Sequence, residues 1–225
     1  LKRLDLDFSK PAVQLGVFTL IALGLLGLLD NLTTERIIEN HRLALQKTLE
    51  SLLPDKSFDN DVLNDTLVIK DERLGSSQPV MIYLARLQGQ PVAALVPAIS
   101  PDGYNGNIRL LLAIRPDGKL AGVRVMEHHE TPGLGDLIES KKSDWIAQFS
   151  GHSLTDPPAL GWRVKRDGGT IDQLTGATIT SRAVVAAVQR VLQVVEDQHD
   201  WVFQLPGASH SETLGHPFPA HLTPP

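Results

Sequence analysis

The sequence predicts a chain of mixed helix and strand, with one apolar helix at the front, short strands in the middle and amphipathic helices behind them. Three observations carry this. Residues 11–29 hold no charge over nineteen positions, about the length that crosses a bilayer as a helix. Five short apolar runs, 67–69, 80–84, 91–96, 108–114 and 120–126, are separated by polar or glycine-bearing turns, the pattern of successive strands. Val184, Val188, Val191 and Val195 then recur at three- and four-residue spacing, the period of a helix with one buried face.

The uncharged run is flanked by Lys10 and Asp30. It is longer than the apolar core of a secretory signal, and no small-x-small cleavage site follows, so it reads as a membrane anchor. Lys2, Arg3 and Lys10 precede it, while Arg36, Arg42 and Lys47 follow, so the distribution of bases leaves its orientation open. Residues 31–53 read as a helix leaving the membrane, with Ile38, Leu45, Leu49 and Leu52 on one face and Pro54 as the stop. Pro116-Asp117-Gly118 joins 108–114 to 120–126 as a hairpin. Residues 136–149 read as an amphipathic helix with Ile138, Trp145, Ile146 and Phe149 toward the core. Trp162 to Lys165 reads as a short strand entering a turn at Asp167-Gly168-Gly169. Residues 201–205 are expected to pack back on the domain, and 206–225, rich in Pro, Gly, Ser and His, read as a disordered tail. The expected organisation is thus 1–10 as a short leading segment, 11–30 as the anchor, 31–54 as a connecting helix, 55–205 as the main domain and 206–225 as the tail.

Composition excludes several functions. A formal net charge of −5 argues against a nucleic-acid partner. The absence of cysteine removes disulfides, thiolate zinc sites and cysteine-held iron–sulfur clusters. Gly133-Leu134-Gly135 has Ile138 where a dinucleotide fingerprint needs its third glycine, and it follows a hairpin, not a parallel strand. His128 and His129 are adjacent, so on a strand they point to opposite faces and cannot share a metal.

The stretch with most chemistry is Asp172-Gln173-Leu174-Thr175-Gly176-Ala177-Thr178-Ile179-Thr180-Ser181, just ahead of the valine-rich helix. Gly176 lets backbone approach a bulky ligand, and Ala177 keeps the next position small. Thr178, Thr180 and Ser181 fall at a helix start, where free N–H groups and the dipole favour a phosphate. Local chemistry leaves two uses open, because a Thr here also serves as a helix cap.

The wider pattern resembles a known family. Gly103-Tyr104-Asn105-Gly106, His128-His129-Glu130-Thr131-Pro132-Gly133-Leu134-Gly135-Asp136, Asp144-Trp145-Ile146 and Asp172-x-x-Thr175-Gly176-Ala177-Thr178 follow the single anchor in order. Together they resemble the G-type subunit of the Rnf complex, a membrane ferredoxin:NAD oxidoreductase that couples electron flow to ion transport. The attachment motif is shared with the C-type subunit of the Na⁺-translocating quinone reductase. The resemblance implies an α+β fold, an antiparallel sheet with flanking helices preceded by one transmembrane helix, with the flavin at one edge. It implies FMN esterified through phosphate to Thr178 by a separate flavin transferase, and the other membrane subunits of an Rnf-type complex as partners. It also implies a cytoplasmic-membrane, single-pass protein whose first ten residues are cytoplasmic and whose main domain lies on the periplasmic side. Thr175, Gly176, Ala177 and Thr180 would surround the attachment point. Glu130, Thr131 and Leu134 are candidates for contact near the flavin, and Lys165 for stabilising a reduced, anionic ring. No general acid, nucleophile or metal site is evident, so the chain reads as an electron carrier. Two other readings remain: a redox-regulatory flavoprotein, and a cofactor-free anchored domain in which Thr178 is only a cap.

Overall fold

The structure is a computed structural model. It describes residues 11–53 and 57–204, and within the first helix the side chains at 11, 14–27, 46–49 and 51–53. The expected segments 1–10 and 206–225, and Pro54, lie outside the described residues. The chain divides into two compact units, Leu1–Lys47 and Thr48–Pro225.

Helix α1 spans Pro11–Leu52 without a break, joining the two helices expected from sequence. Among the described residues no helix is long and apolar enough to cross a membrane. Leu15, Phe18, Leu20, Ile21, Leu23 and Leu26 are exposed, and at about 100° per residue they point to all sides of the helix. The last turn of α1 belongs to the second unit. There Leu49, Leu52 and Leu53 are buried, and the Arg124 guanidinium donates to the Ser51 carbonyl at 2.8 Å and to its hydroxyl at 3.1 Å. An arginine on a terminal carbonyl satisfies one of the acceptors that a helix end leaves open.

The second unit is built on a five-stranded antiparallel meander in the order β1-β2-β3-β4-β5. The strands are β1 Thr66–Ile69, β2 Val80–Leu87, β3 Gln90–Gly103, β4 Gly106–Ile114 and β5 Leu120–Glu127. All five strands expected from the apolar runs are present. β3 runs farther than its apolar pattern suggested, through Pro97 and Pro101. Pairing of β2 with β3 ends at Tyr83↔Leu95, while β4 continues alongside from Val96↔Leu112 to Gly103↔Gly106. Beyond Leu95 the strand is therefore paired on one side only, where a proline without N–H is tolerated.

Alternation along the strands gives the sheet two buried faces. Leu84, Ala94, Val96, Leu110, Leu112 and Val123 join the main core with Val184, Val188, Val191 and Val195 of α2, which spans Thr178–Asp197. Ser100 Oγ donates to the Ala183 carbonyl at 2.8 Å and so fixes α2 on β3. The opposite face carries Ala85, Ala93, Leu95, Leu111 and Ala113, also buried. Helix α3, His199–Gln204, packs back through Val202 and Phe203 as expected.

Two local expectations are corrected. Residues 136–149 are not one helix but two short 3-10 segments, Gly135–Ile138 and Trp145–Phe149. Ser143 Oγ donates to the Leu137 carbonyl at 2.6 Å and accepts the Trp145 N–H at 3.2 Å. Such side-chain bonds give the backbone an alternative to the helix. The predicted core residues hold nonetheless: Ile138, Ile146 and Phe149 are buried and Trp145 packs against them. Trp162 to Lys165 is not a strand. It keeps one parallel bridge, Val164↔Ile171, because the chain turns back at once through the 3-10 segment Lys165–Asp167 and Gly168 at φ 83°.

Candidate functional site

The stretch 172–181 leads into α2, which begins at Thr178. Its first residues are held from outside. The Asp172 carbonyl accepts Trp145 Nε1–H at 2.7 Å, and its N–H donates to Gln148 Oε1 at 2.8 Å. Trp145 is edge-on to Phe149, with ring centroids 5.5 Å apart, and Phe149 stacks on Trp162. The aromatic column thus supports the chain that carries the motif.

Gly176 turns the chain at φ 81°, a left-handed value that side chains disfavour. A Cβ placed there lies 3.0 Å from Leu134 Cδ2, so the predicted loop residue Leu134 does meet the motif. Ala177 is the N-cap of α2 and no side chain caps it. Thr178 is the first helical residue. The cap role that local chemistry left open for Thr178 and Thr180 is therefore not the one adopted.

The hydroxyls of this turn differ sharply. Thr180 is 1% exposed and donates to Glu130 Oε2. Ser181 is fully buried; its Oγ accepts the Leu174 N–H and donates to the Ala177 carbonyl, each at 3.0 Å. Thr178 is half-buried and Thr175 exposed. The first-turn N–H groups of α2 have no intrahelical acceptor. Around this start, Tyr104, Leu134 and Ile179 are exposed apolar side chains.

Glu130 is 4% exposed, so this residue points inward. Besides Thr180 it accepts the Asn105 N–H at 3.0 Å, joining the β3–β4 turn to the helix start. Its own N–H donates to His128 Nδ1 at 3.0 Å. That leaves the proton of a neutral imidazole on Nε2, which faces Glu139 Oε1 at 2.9 Å. Lys142 pairs with Glu139 at 2.6 Å and with Asp136 at 3.0 Å. The Lys142 ammonium holds the Asp136 and Glu139 carboxyls below the usual range, with His128 assisting at Glu139. Thr131 is exposed; its carbonyl accepts the N–H groups of Leu134, Gly135 and Asp136 at 3.1–3.3 Å and shapes the loop. Lys165 pairs with the Asp172 carboxylate at 2.6 Å and is about half exposed.

The structure therefore brings Glu130, Leu134, Gly176 and Thr180 into one contact set, with Thr175, Ala177 and Thr178 on the same turn. Lys165 joins it through Asp172, and Thr131 through its backbone. Sequence reasoning missed Ser181 as the internal tie of the turn and Trp145 and Gln148 as its outer support. The Gly-Tyr-Asn-Gly signal pointed at Asn105 without giving its partner.

The chain matches the pattern of an FMN-binding domain over residues 103–193 and of an RnfG N-terminal region over residues 7–52. It is 48% identical over 185 residues to the G-type subunit of the ion-translocating oxidoreductase complex of Pseudomonas aeruginosa (strain UCBPP-PA14), covering 82% of this chain and 86% of that one. Proteins of the same name from Shewanella loihica (44% identity; 81% and 87% covered) and Vibrio cholerae (42%; 84% and 90%) are similar along comparable spans.

Proposed function

The chain belongs to the family of G-type subunits of Rnf ion-translocating oxidoreductase complexes, and we propose that it carries electrons there on an FMN esterified through its phosphate to Thr178. As an FMN-domain member of that family it is an electron-transfer subunit of an oxidoreductase. The linkage to Thr178 is the finer reading. The observation that carries it is the sorting of hydroxyls at the start of α2: Thr180 and Ser181 are buried and committed to internal bonds, while Thr178 is only half-buried. Thr175 is also open, but Thr178 alone occupies the fourth place of Thr-Gly-Ala-Thr.

The residues fit the group. The N–H groups of the first turn suit a phosphodiester, Gly176 leaves room beside Leu134, and Tyr104, Leu134 and Ile179 offer apolar surface to a flavin ring. Bound FMN supplies reversible electron transfer; the protein orients it and sets its electrostatic surroundings. A flavin transferase makes the ester, and the other subunits of the complex, of the ferredoxin:NAD class, exchange electrons with it. The run 11–29 anchors the chain in the cytoplasmic membrane. The absence of charge along it and the exposure of apolar side chains around its helix support this. The domain after residue 30 lies on the periplasmic side.

The test is intact mass and peptide mapping of full-length protein made with its native transferase. One FMN ester is expected on the peptide containing Thr178, absent from Thr178→Val. A flavin ester elsewhere, or retained in Thr178→Val, refutes the assignment.

A further inference from the structure

Resting on the reading of Thr178 as flavin acceptor, we propose that Glu130 is a positioning residue for the attachment reaction, acting through Thr180 to aim the Thr178 hydroxyl outward. Glu130 lies fifty residues from Thr180 in sequence, yet its two oxygens are divided between two separate segments. Oε2 accepts the Thr180 hydroxyl and Oε1 accepts the Asn105 N–H. Glu130 is 4% exposed and Thr180 1%, so this is an internal tie.

The surrounding backbone is shaped to admit the tie. A Cβ on Gly103 lies 2.2 Å from the Gly106 carbonyl oxygen and 2.8 Å from Glu130 Oε1. One on Gly135 lies 2.9 Å from Glu130 Oε2 and 3.0 Å from Thr180 Oγ1. Side chains at either place would displace the carboxylate. Both oxygens are hydrogen-bonded, which is what makes burial of the carboxyl tolerable, and a tie that joins three segments invites a function.

The helix supplies one. Successive residues turn by about 100°, so Thr180 stands about 200° from Thr178, on the other side of α2. Pinning Thr180 inward fixes the rotation of the first turn and holds Thr178 outward. The reaction needs that. It forms one bond, from Thr178 Oγ to phosphorus, and breaks one, the phosphoanhydride of an activated flavin phosphate held by the transferase. The leaving phosphate takes the bonding pair, the hydroxyl proton passes to the transferase or to water, and nothing is oxidised or reduced. In-line attack depends on the oxygen's placement, and a misplacement of about 1 Å costs on the order of a hundredfold in rate.

The experiment measures attachment kinetics on full-length protein with the native transferase and its flavin substrate, for wild type, Thr180→Val, Thr180→Ser and Glu130→Gln. Thr180→Val is expected to lower kcat by roughly a hundredfold with the KM for the acceptor protein unchanged, the signature of an interaction that matters in the transition state. Thr180→Ser keeps the hydroxyl and is expected to restore most of the rate. Glu130→Gln keeps the shape but offers one acceptor to two donors, and falls between. In every variant the ester stays on Thr178. Wild-type rate in Thr180→Val, on protein bearing the normal ester, overturns the positioning role alone. Equal losses in Thr180→Val and Thr180→Ser that track loss of folded protein overturn it too. Wild-type protein without flavin on Thr178 overturns the acceptor reading and this role with it.

Discussion

Removing one oxygen atom from the turn, Ser181→Ala, tests whether Ser181 is its internal tie. Ser181 Oγ accepts the Leu174 N–H at 3.0 Å and donates to the Ala177 carbonyl at 3.0 Å. The two losses are unequal. The Ala177 carbonyl still receives the Ser181 N–H at 3.0 Å, so it keeps a partner. Leu174 is 8% exposed, and its N–H is left without the acceptor it had. An orphaned buried donor costs about 1–3 kcal/mol. For a domain of this size each kcal/mol moves Tm by about 2–4 °C, so a loss near the middle of the range lowers Tm by about 4–8 °C. The assay is urea and thermal unfolding of the full chain in detergent, followed by tryptophan fluorescence. Trp145 is a reporter in the same region, because its Nε1–H holds the Asp172 carbonyl. Thr175→Ala serves as the control, since Thr175 is exposed and a surface change stays within about 0.5 kcal/mol. A Ser181→Ala loss no larger than that of the control refutes the reasoning.

Three further outcomes are expected. Leu134→Ala should shift the flavin spectrum or midpoint potential without releasing the flavin, because Leu134 is exposed beside Gly176; an unchanged spectrum and potential would count against the contact. The Pro116 carbonyl, 2.7 Å from His199 Nε2, raises the His199 pKa, with Asp200 assisting. Its contribution to stability is therefore fully present below about pH 6.5 and is lost as pH rises through the higher folded value. His199→Gln should flatten the wild type's stability loss in that window, measured by urea unfolding at each pH, and equal pH dependence in both proteins would reject the link. Protease added to spheroplasts should digest the domain after residue 30, whereas its full protection would remove the periplasmic placement.

Much of the domain was legible because its elements obey simple periods. The valines of α2 recur with the helical turn and all four are buried on the sheet. The five strands follow apolar runs bounded by turn residues. Pro97 hid the far half of β3, because the penalty for a missing N–H depends on whether a second strand lies alongside. Ser143 hid the break between Ile138 and Trp145, because the apolar spacing of that segment fits a helix while one hydroxyl bonds its backbone otherwise.

The five strands, the Asp-x-x-Thr-Gly-Ala-Thr motif and the valine-faced helix after it could be read from local sequence. Each depends on neighbours within a few positions, through dihedral preference, spacing and capping. Long-range contact, by contrast, set Thr180 inward while Thr178 stays half-buried and Thr175 exposed. That setting rests on Glu130 and Asn105, which come from two other segments. Burial of a polar atom is tolerable only where a partner meets it. For Thr180 that partner lies fifty residues away, a distance that no local period encodes.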